Sequence, residues 1–217
     1  MAGELFSRKF VLKKISHLSL NNQIMQTPVT IQHVEILSEK KYPLKNYTFT
    51  RQKEDGAVQQ KKSEVYDPGD ATTVLLYNKE KGTVILTRQF RLPSYLNGNP
   101  GGMLLETCAG KIEDESPEEA IRREAEEETG YKIDEIKKIF QAYMTPGAVS
   151  ELVHFFTAPY NDHSRISAGG GLEEEQEEVE VVEVGFRQAL ALIESGEIQD
   201  AKTIILLQYA QIQGYFE

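Results

Sequence analysis

The chain of 217 residues has one cysteine, Cys108, so no disulfide can form within it and a reducing, cytoplasmic setting is expected. Cys108 lies in the apolar run Met103-Leu104-Leu105-Glu106-Thr107-Cys108-Ala109. No catalytic-cysteine signature surrounds it, and it reads as a buried core thiol. No stretch approaches the ~18 apolar residues of a membrane span. The basic N-terminal stretch (Arg8, Lys9, Lys13, Lys14) has neither the apolar core nor the cleavage site of a secretory signal. Four histidines, His17, His33, His154 and His163, are scattered without ligand spacing, which argues against a histidine metal centre. Internal repeats, long linkers and the Asp-rich loop of a calcium site are all missing. With 40% hydrophobic residues the chain can still build a sizeable core, which excludes a disordered protein.

Charge is present in an uneven pattern. The formal net charge is −10, yet residues 113–128 alone carry −7 and residues 173–183 another −7, leaving +4 on the remainder. Two acidic clusters on a mildly basic protein disfavour nucleic-acid binding and call for a specific reason.

Alternating apolar and polar residues predict strands at 29–37, 47–50 and 57–66, with Asp55-Gly56 as a hairpin turn. A second hairpin joins 72–77 to 83–90, and 103–109 reads as one strand. A helix follows with Ser116 as cap, Pro117 at its first position, Glu119 completing a capping box and Gly130 as its stop. Strands at 136–144, 152–157 and 179–184 and helices at 186–195 and 201–213 complete the chain. This order predicts an α+β fold, a mixed sheet sandwiched by helices, with an N-terminal antiparallel strand arm.

The first long helix carries the chemistry. Glu124, Glu127 and Glu128 stand at i, i+3 and i+4, on one face, and two of them fall in the last turn, where the helix dipole disfavours acids. A glutamate-rich helix is ordinarily a solvated face with lysine partners. This one has no lysine, only Arg122 and Arg123. Three hard oxygen ligands suit Mg²⁺, or Mn²⁺, beside a phosphate substrate, with Arg123 four residues before Glu127 to hold it.

Glu115, seven residues, then Arg123-Glu124-Ala125-Glu126-Glu127-Glu128-Thr129-Gly130-Tyr131 resembles the sequence box of the Nudix hydrolase family. In the family's box five residues separate an opening glycine from the first glutamate. Here four residues separate Gly110 from Glu115, and Tyr131 fills the last aliphatic slot. Flanking stretches, among them Arg88-Gln89-Phe90-Arg91, Asn97-Gly98-Asn99, Cys108-Ala109-Gly110 and Gly169-Gly170-Gly171, are similar to the dimeric, GDP-mannose-hydrolysing branch of that family, which shares the shortened loop.

The resemblance implies a Mg²⁺-dependent pyrophosphatase that splits a nucleoside diphosphate sugar, GDP-mannose first, with ADP-ribose as the alternative and a non-catalytic nucleotide-sugar-binding module as the third possibility. It implies metal ligation by the Ala109 carbonyl, Glu124, Glu128 and a loop carboxylate, Glu177, with Glu175 open as its substitute. Glu127 is then a ligand or stands behind one, fixed by Arg123; Glu177, Glu127 and Arg123 form the catalytic set. Arg91 is the phosphate-binding candidate, and Lys41, Lys62, Glu64, Gly110, Glu151 and Lys202 are substrate contacts. The chain departs from the branch's pattern at Lys41 and at Lys62-Ser63-Glu64, where the loss of a bidentate arginine bears on sugar or base recognition. The loop at 161–178, which carries the run of three glycines, is expected to close over substrate beyond that run and become ordered with Mg²⁺ and nucleotide. The implied organisation is an extension at 1–24 of unknown role, a β subdomain or dimerisation arm at 25–67, and the Nudix hydrolase domain at 68–217. Met25 is an alternative start. The partners implied are the nucleotide-sugar substrate and a second copy of the chain, with no nucleic acid and no membrane.

Overall fold

A computed structural model describes residues 28–172 and 178–217. Its described residues divide into two compact units, 28–33 with 48–62, and a larger one of 34–47, 63–172 and 178–217. Three N-terminal strands, β1 (Val29–Ser38), β2 (Leu44–Gln52) and β3 (Val58–Tyr66), form one sheet in sequence order. The β2–β3 hairpin turns where predicted: Gly56 has φ +83° and Asp55 Oδ1 accepts from the Ala57 amide at 2.9 Å. Every residue of β1 from Val29 to Leu37 is exposed.

The larger sheet has the order β10 (Glu180–Gly185), β5 (Thr83–Phe90), β4 (Ala71–Asn78), β9 (Leu152–Pro159), β8 (Lys137–Tyr143). Only β4 and β9 run parallel, so the sheet is mixed, as expected. Period-two alternation divides β4 between two cores. Leu75 faces helices α3 (Phe186–Ser195) and α4 (Ala201–Ile212) with Phe155, Leu206 and Leu207, whereas Val74 and Leu76 face helix α2 (Pro117–Glu124) with Ile121 and Phe156. The sheet is therefore covered on both faces. Among the described residues no helix is long and apolar enough to cross a membrane.

Three local expectations are corrected. Residues 103–109 form two strands, β6 (Met103–Glu106) on β5 and β7 (Cys108–Lys111) on β4. β4 and β5 pair directly at Leu76–Asn78 and Thr83–Ile85, and β6 and β7 pair with the further stretches of each, so the chain changes partner at Thr107. A short helix, α1 (Leu92–Leu96), went unread because five residues with Pro93 carry too little periodicity to signal one. The long helix is α-helical only to Glu124 and continues as a π turn over Ala125–Thr129. Such turns add a residue to the helical repeat and recur at functional sites.

Candidate active site

Both ends of the acidic helix are secured by short-range chemistry. At its start Ser116 Oγ accepts from the Glu119 amide at 3.2 Å and Glu119 Oε2 accepts from the Ser116 amide at 2.9 Å. The Ser116 hydroxyl also donates to Glu119 Oε2 at 2.7 Å, and this bond, with that from the Ser116 amide, holds the Glu119 carboxyl below its ordinary pKa. At its end the carbonyls of Glu126, Glu127 and Glu128 accept from the amides of Gly130 (3.0 Å), Gly171 (3.1 Å) and Gly170 (2.9 Å). The glycine run thus closes the helix end. A side chain at Gly169 would meet the Glu128 carbonyl at 2.5 Å, and Gly130 sits at φ +74° against Ser167. The carbonyl ends that would repel Glu127 and Glu128 are satisfied by these amides.

One guanidinium gathers the acids. Arg123 donates to Glu115 from Nε (3.1 Å) and Nη2 (2.7 Å), and to Glu124 (2.9 Å) and Glu127 (3.0 Å) from Nη1. The last bond is the i,i+4 pair that the spacing predicts. Burial penalises the Arg123 charge, but the bonds and fields of Glu115 and Glu124 outweigh it and its pKa lies above the ordinary value. Glu128 is 2% exposed and accepts from the Ala109 amide at 3.2 Å. Because the N–H and C=O of a strand residue leave the same edge, the Ala109 carbonyl faces the same side. Cys108 is buried, as read, with its thiol pKa pushed well up by burial and by Glu128.

Gly110 is required by space. A Cβ there would lie 1.9 Å from Cδ of Glu124, so the carboxylate packs directly on the bare backbone of β7.

Beside this helix a cleft of about 310 Å³ is lined by Lys41, Arg91, Ala109, Gly110, Arg123, Glu124, Glu151 and Lys202, all singled out from the sequence. Tyr42, Ala71, Lys111, Glu113 and Val153 complete its walls. Five basic side chains therefore meet in one cleft. Arg91 donates to Glu106 from Nε (3.0 Å) and Nη2 (2.8 Å). Burial penalises its charge, yet Glu106, Glu128 and Asp200 together keep its pKa raised. Lys202 Nζ is 2.7 Å from Asp200 Oδ1, and Lys111 Nζ stands 3.2 Å over the Tyr42 ring. Glu151 has its pKa raised by burial, with Lys202 and Lys111 opposing the shift.

Not every candidate joins this cleft: of the helix carboxylates Glu124 lines it, and Glu127 and Glu128 do not. Glu64 is exposed on β3 and does not line it, and Lys62 is exposed on β3 in the smaller unit. Glu177 and Glu175 lie in 173–177, outside the described residues, as does the extension at 1–24. Sequence reasoning missed Glu106, whose signal was an acid inside an apolar run, and Lys111, which follows Gly110 directly. Asp200 caps α4: its Oδ2 accepts from the Thr203 amide at 2.9 Å.

Among the described residues no three His, Cys, Asp or Glu side chains are grouped to hold one metal ion. Of the implied ligands Glu124 and Glu128 are described carboxylates, and Glu127, a ligand or the residue behind one, is described beside them. Their donor chemistry fits a hard divalent cation: oxygens only, one carboxylate packed against Gly110, the other anchored at the Ala109 amide, with the Ala109 carbonyl as a further oxygen donor.

Residues 67–207 match the model of the NUDIX domain, and residues 28–66 match that of the GDP-mannose pyrophosphatase NudK N-terminal domain. Among similar curated proteins, a GDP-mannose pyrophosphatase of Pectobacterium atrosepticum is 51% identical over 88% of this chain and 98% of its own length. One from Yersinia enterocolitica is 53% identical over 83% of this chain and 93% of its own. One from an Enterobacter species is 50% identical over 88% and 98%.

Proposed function

This chain belongs to the Nudix family, and from that premise we propose that it is a Mg²⁺-dependent pyrophosphatase that hydrolyses GDP-mannose to GMP and mannose 1-phosphate. The observation that carries the reading is the meeting, in one cleft, of five basic side chains with Glu124 of the acidic helix and with Glu113 and Glu151. A diphosphate needs its charge neutralised, and a carboxylate-rich edge must face it to hold a metal ion. The relatives' names supply the sugar nucleotide.

Members of the family generally need a divalent metal ion. Here Glu124, Glu128 and the Ala109 carbonyl would hold it, with Glu177 as the loop carboxylate. The ion, Mg²⁺ or Mn²⁺, supplies Lewis-acid polarisation of a phosphoryl oxygen when bound. Arg123 keeps Glu127 and Glu124 in fixed rotamers. Arg91 and Lys202, each steadied by an acid behind it, bind the diphosphate oxygens. Lys41 and Lys111 add positive charge at the Tyr42 wall, and Glu151 accepts from substrate hydroxyl or amide groups. Lys62 and Glu64, on β3, contribute to the substrate site within a homodimer built through the N-terminal strands, whose β1 exposes Val29, Ile31, Val34, Ile36 and Leu37. Residues 25–67 are the arm and 68–217 the catalytic domain, in the cytoplasm.

Purified protein is assayed with Mg²⁺ on GDP-mannose, ADP-ribose and related nucleotide sugars, with products resolved by ³¹P NMR. The highest kcat/KM is expected for GDP-mannose. Higher kcat/KM for ADP-ribose overturns the sugar assignment. No turnover of any compound by folded protein overturns the enzyme, and nucleotide binding that survives Glu127→Gln and Glu128→Gln then identifies a binding module.

A further inference from the structure

Arg91 enters the cleft with only part of its hydrogen-bonding capacity free. Two of its five N–H groups are taken by Glu106, in a bidentate pair at 3.0 and 2.8 Å, and among the described residues Nη1 donates to nothing. The partners are unequal: the Arg91 side chain is 40% exposed and that of Glu106 is 3% exposed. A buried carboxylate thus sits behind a guanidinium whose other edge opens on the cleft.

The backbone that carries Glu106 is unusually well fixed. It ends β6 one residue before Thr107, where the chain passes from β5 to β4. Thr87 Oγ1 donates to the Glu106 carbonyl at 3.3 Å, and the Thr107 amide donates to Thr203 Oγ1 at 2.7 Å. Thr73 Oγ1 and Thr107 Oγ1 are 2.9 Å apart, and Thr73, Thr87 and Thr203 are all 0% exposed. Thr203 in turn donates through Oγ1 to Asp200 Oδ2 at 2.7 Å, and Asp200 holds Lys202. The anchor of one cleft cation is therefore tied to the anchor of another.

Stability alone does not account for such a pair. Buried ion pairs are often no better than apolar residues of the same volume, because desolvation offsets the Coulomb gain. Here the acid also subtracts charge from a site that receives a polyanion. What the pair does supply is orientation: a free arginine side chain gives up rotamer freedom when it docks, and a pinned one gives up less.

We propose that Glu106 is a positioning residue for substrate binding and hydrolysis, fixing the Arg91 guanidinium so that its free N–H edge meets the diphosphate. The proposal rests on the nucleotide-sugar reading of the cleft and extends it to a residue that touches no substrate.

Two measurements test it. In a cycle of Glu106→Gln, Arg91→Ala and the double variant, Glu106→Gln lowers kcat/KM about tenfold in the wild-type background, a loss on the scale of one charged hydrogen bond. It changes kcat/KM less than twofold once Arg91 is gone. Equal losses in both backgrounds indicate a structural role and overturn the proposal, as does wild-type or tighter substrate binding in Glu106→Gln with kcat unchanged. The second measurement needs neither turnover nor the Arg91 variant. By NMR, the Arg91 Nε–H should exchange slowly with water in the wild-type protein and at least tenfold faster in Glu106→Gln; equal rates refute the pinning. A wild-type protein inactive on every nucleotide sugar overturns the function instead, and the exchange rates still decide what Glu106 does to Arg91.

Discussion

Gly110→Ala separates the space a glycine leaves from the flexibility it confers. Gly110 is not among the positive-φ glycines, so alanine is conformationally permitted there. The alanine Cβ, however, would lie 1.9, 2.0 and 2.3 Å from Cδ, Oε1 and Cγ of Glu124, so that carboxylate must leave the wall of the cleft. Its departure breaks the 2.9 Å bond from Arg123 Nη1, while Arg123 keeps Glu115 and Glu127. A hydrogen bond between charged groups is worth about 1.5–3 kcal/mol net, and the value here should sit at the low end because water reaches the displaced side chain. For a chain of this length ~1.5 kcal/mol lowers Tm by roughly 3–6 °C. Activity should fall further than stability, since misplacing an oriented group at a metal site costs about 10–100-fold. Differential scanning fluorimetry and kinetics across a Mg²⁺ titration read both effects, and half-saturating Mg²⁺ should rise. Gly147→Ala is the steric control, because nothing lies within 4 Å of a Cβ there, and its Tm should match the wild type. In an active wild-type enzyme, unchanged activity and Mg²⁺ dependence in Gly110→Ala would refute the reasoning. So would a further loss when Gly110→Ala is added to Glu124→Gln.

Three other outcomes are expected. Arg123→Lys replaces a fork that meets three carboxylates with a single ammonium, so kcat/KM should fall about 10–100-fold with a raised Mg²⁺ requirement, read in the same titration. Glu151 has its pKa raised by burial, so its ionised form is penalised in the folded state above that pKa and the penalty disappears as pH falls through it. Glu151→Gln should therefore raise Tm at pH 7–8, lose that advantage near pH 4, and lower kcat/KM; a Tm difference independent of pH contradicts the burial argument. For the proposed homodimer, Ile31→Asp with Ile36→Asp, both on the exposed β1, should shift sedimentation from dimer toward monomer, and an unchanged species removes β1 from the proposed interface.

Much of the scaffold is written in local patterns. Ser116, Pro117 and Glu119 specify a helix start by their own hydrogen bonds, and Asp55-Gly56 specifies a turn by backbone preference. The box from Glu115 to Tyr131 identifies the acidic helix because each of its charges acts within one or two helical turns. That same spacing placed Arg123 on Glu127. Spacing did not reveal that Glu115 and Glu124 share the same guanidinium, or that the last turn widens to a π turn beneath the glycine loop.

What the sequence by itself determined is therefore the periodicity of each element, the caps that bound it, and the presence of a carboxylate cluster without lysine partners. Tertiary structure alone decided the rest. Residues 103–109 read as one strand because strand period says which face a side chain takes, not which neighbour the backbone pairs with. Only in the folded sheet do β6 and β7 divide at Thr107, sending Glu106 to Arg91 and setting Gly110 under Glu124. Lys41, Arg91, Lys111, Glu151 and Lys202 come from five separate segments, and no spacing in the chain records that they line one cleft. Their meeting is a product of strand pairing and two-sided core packing, whose energies depend on contacts between residues remote in sequence.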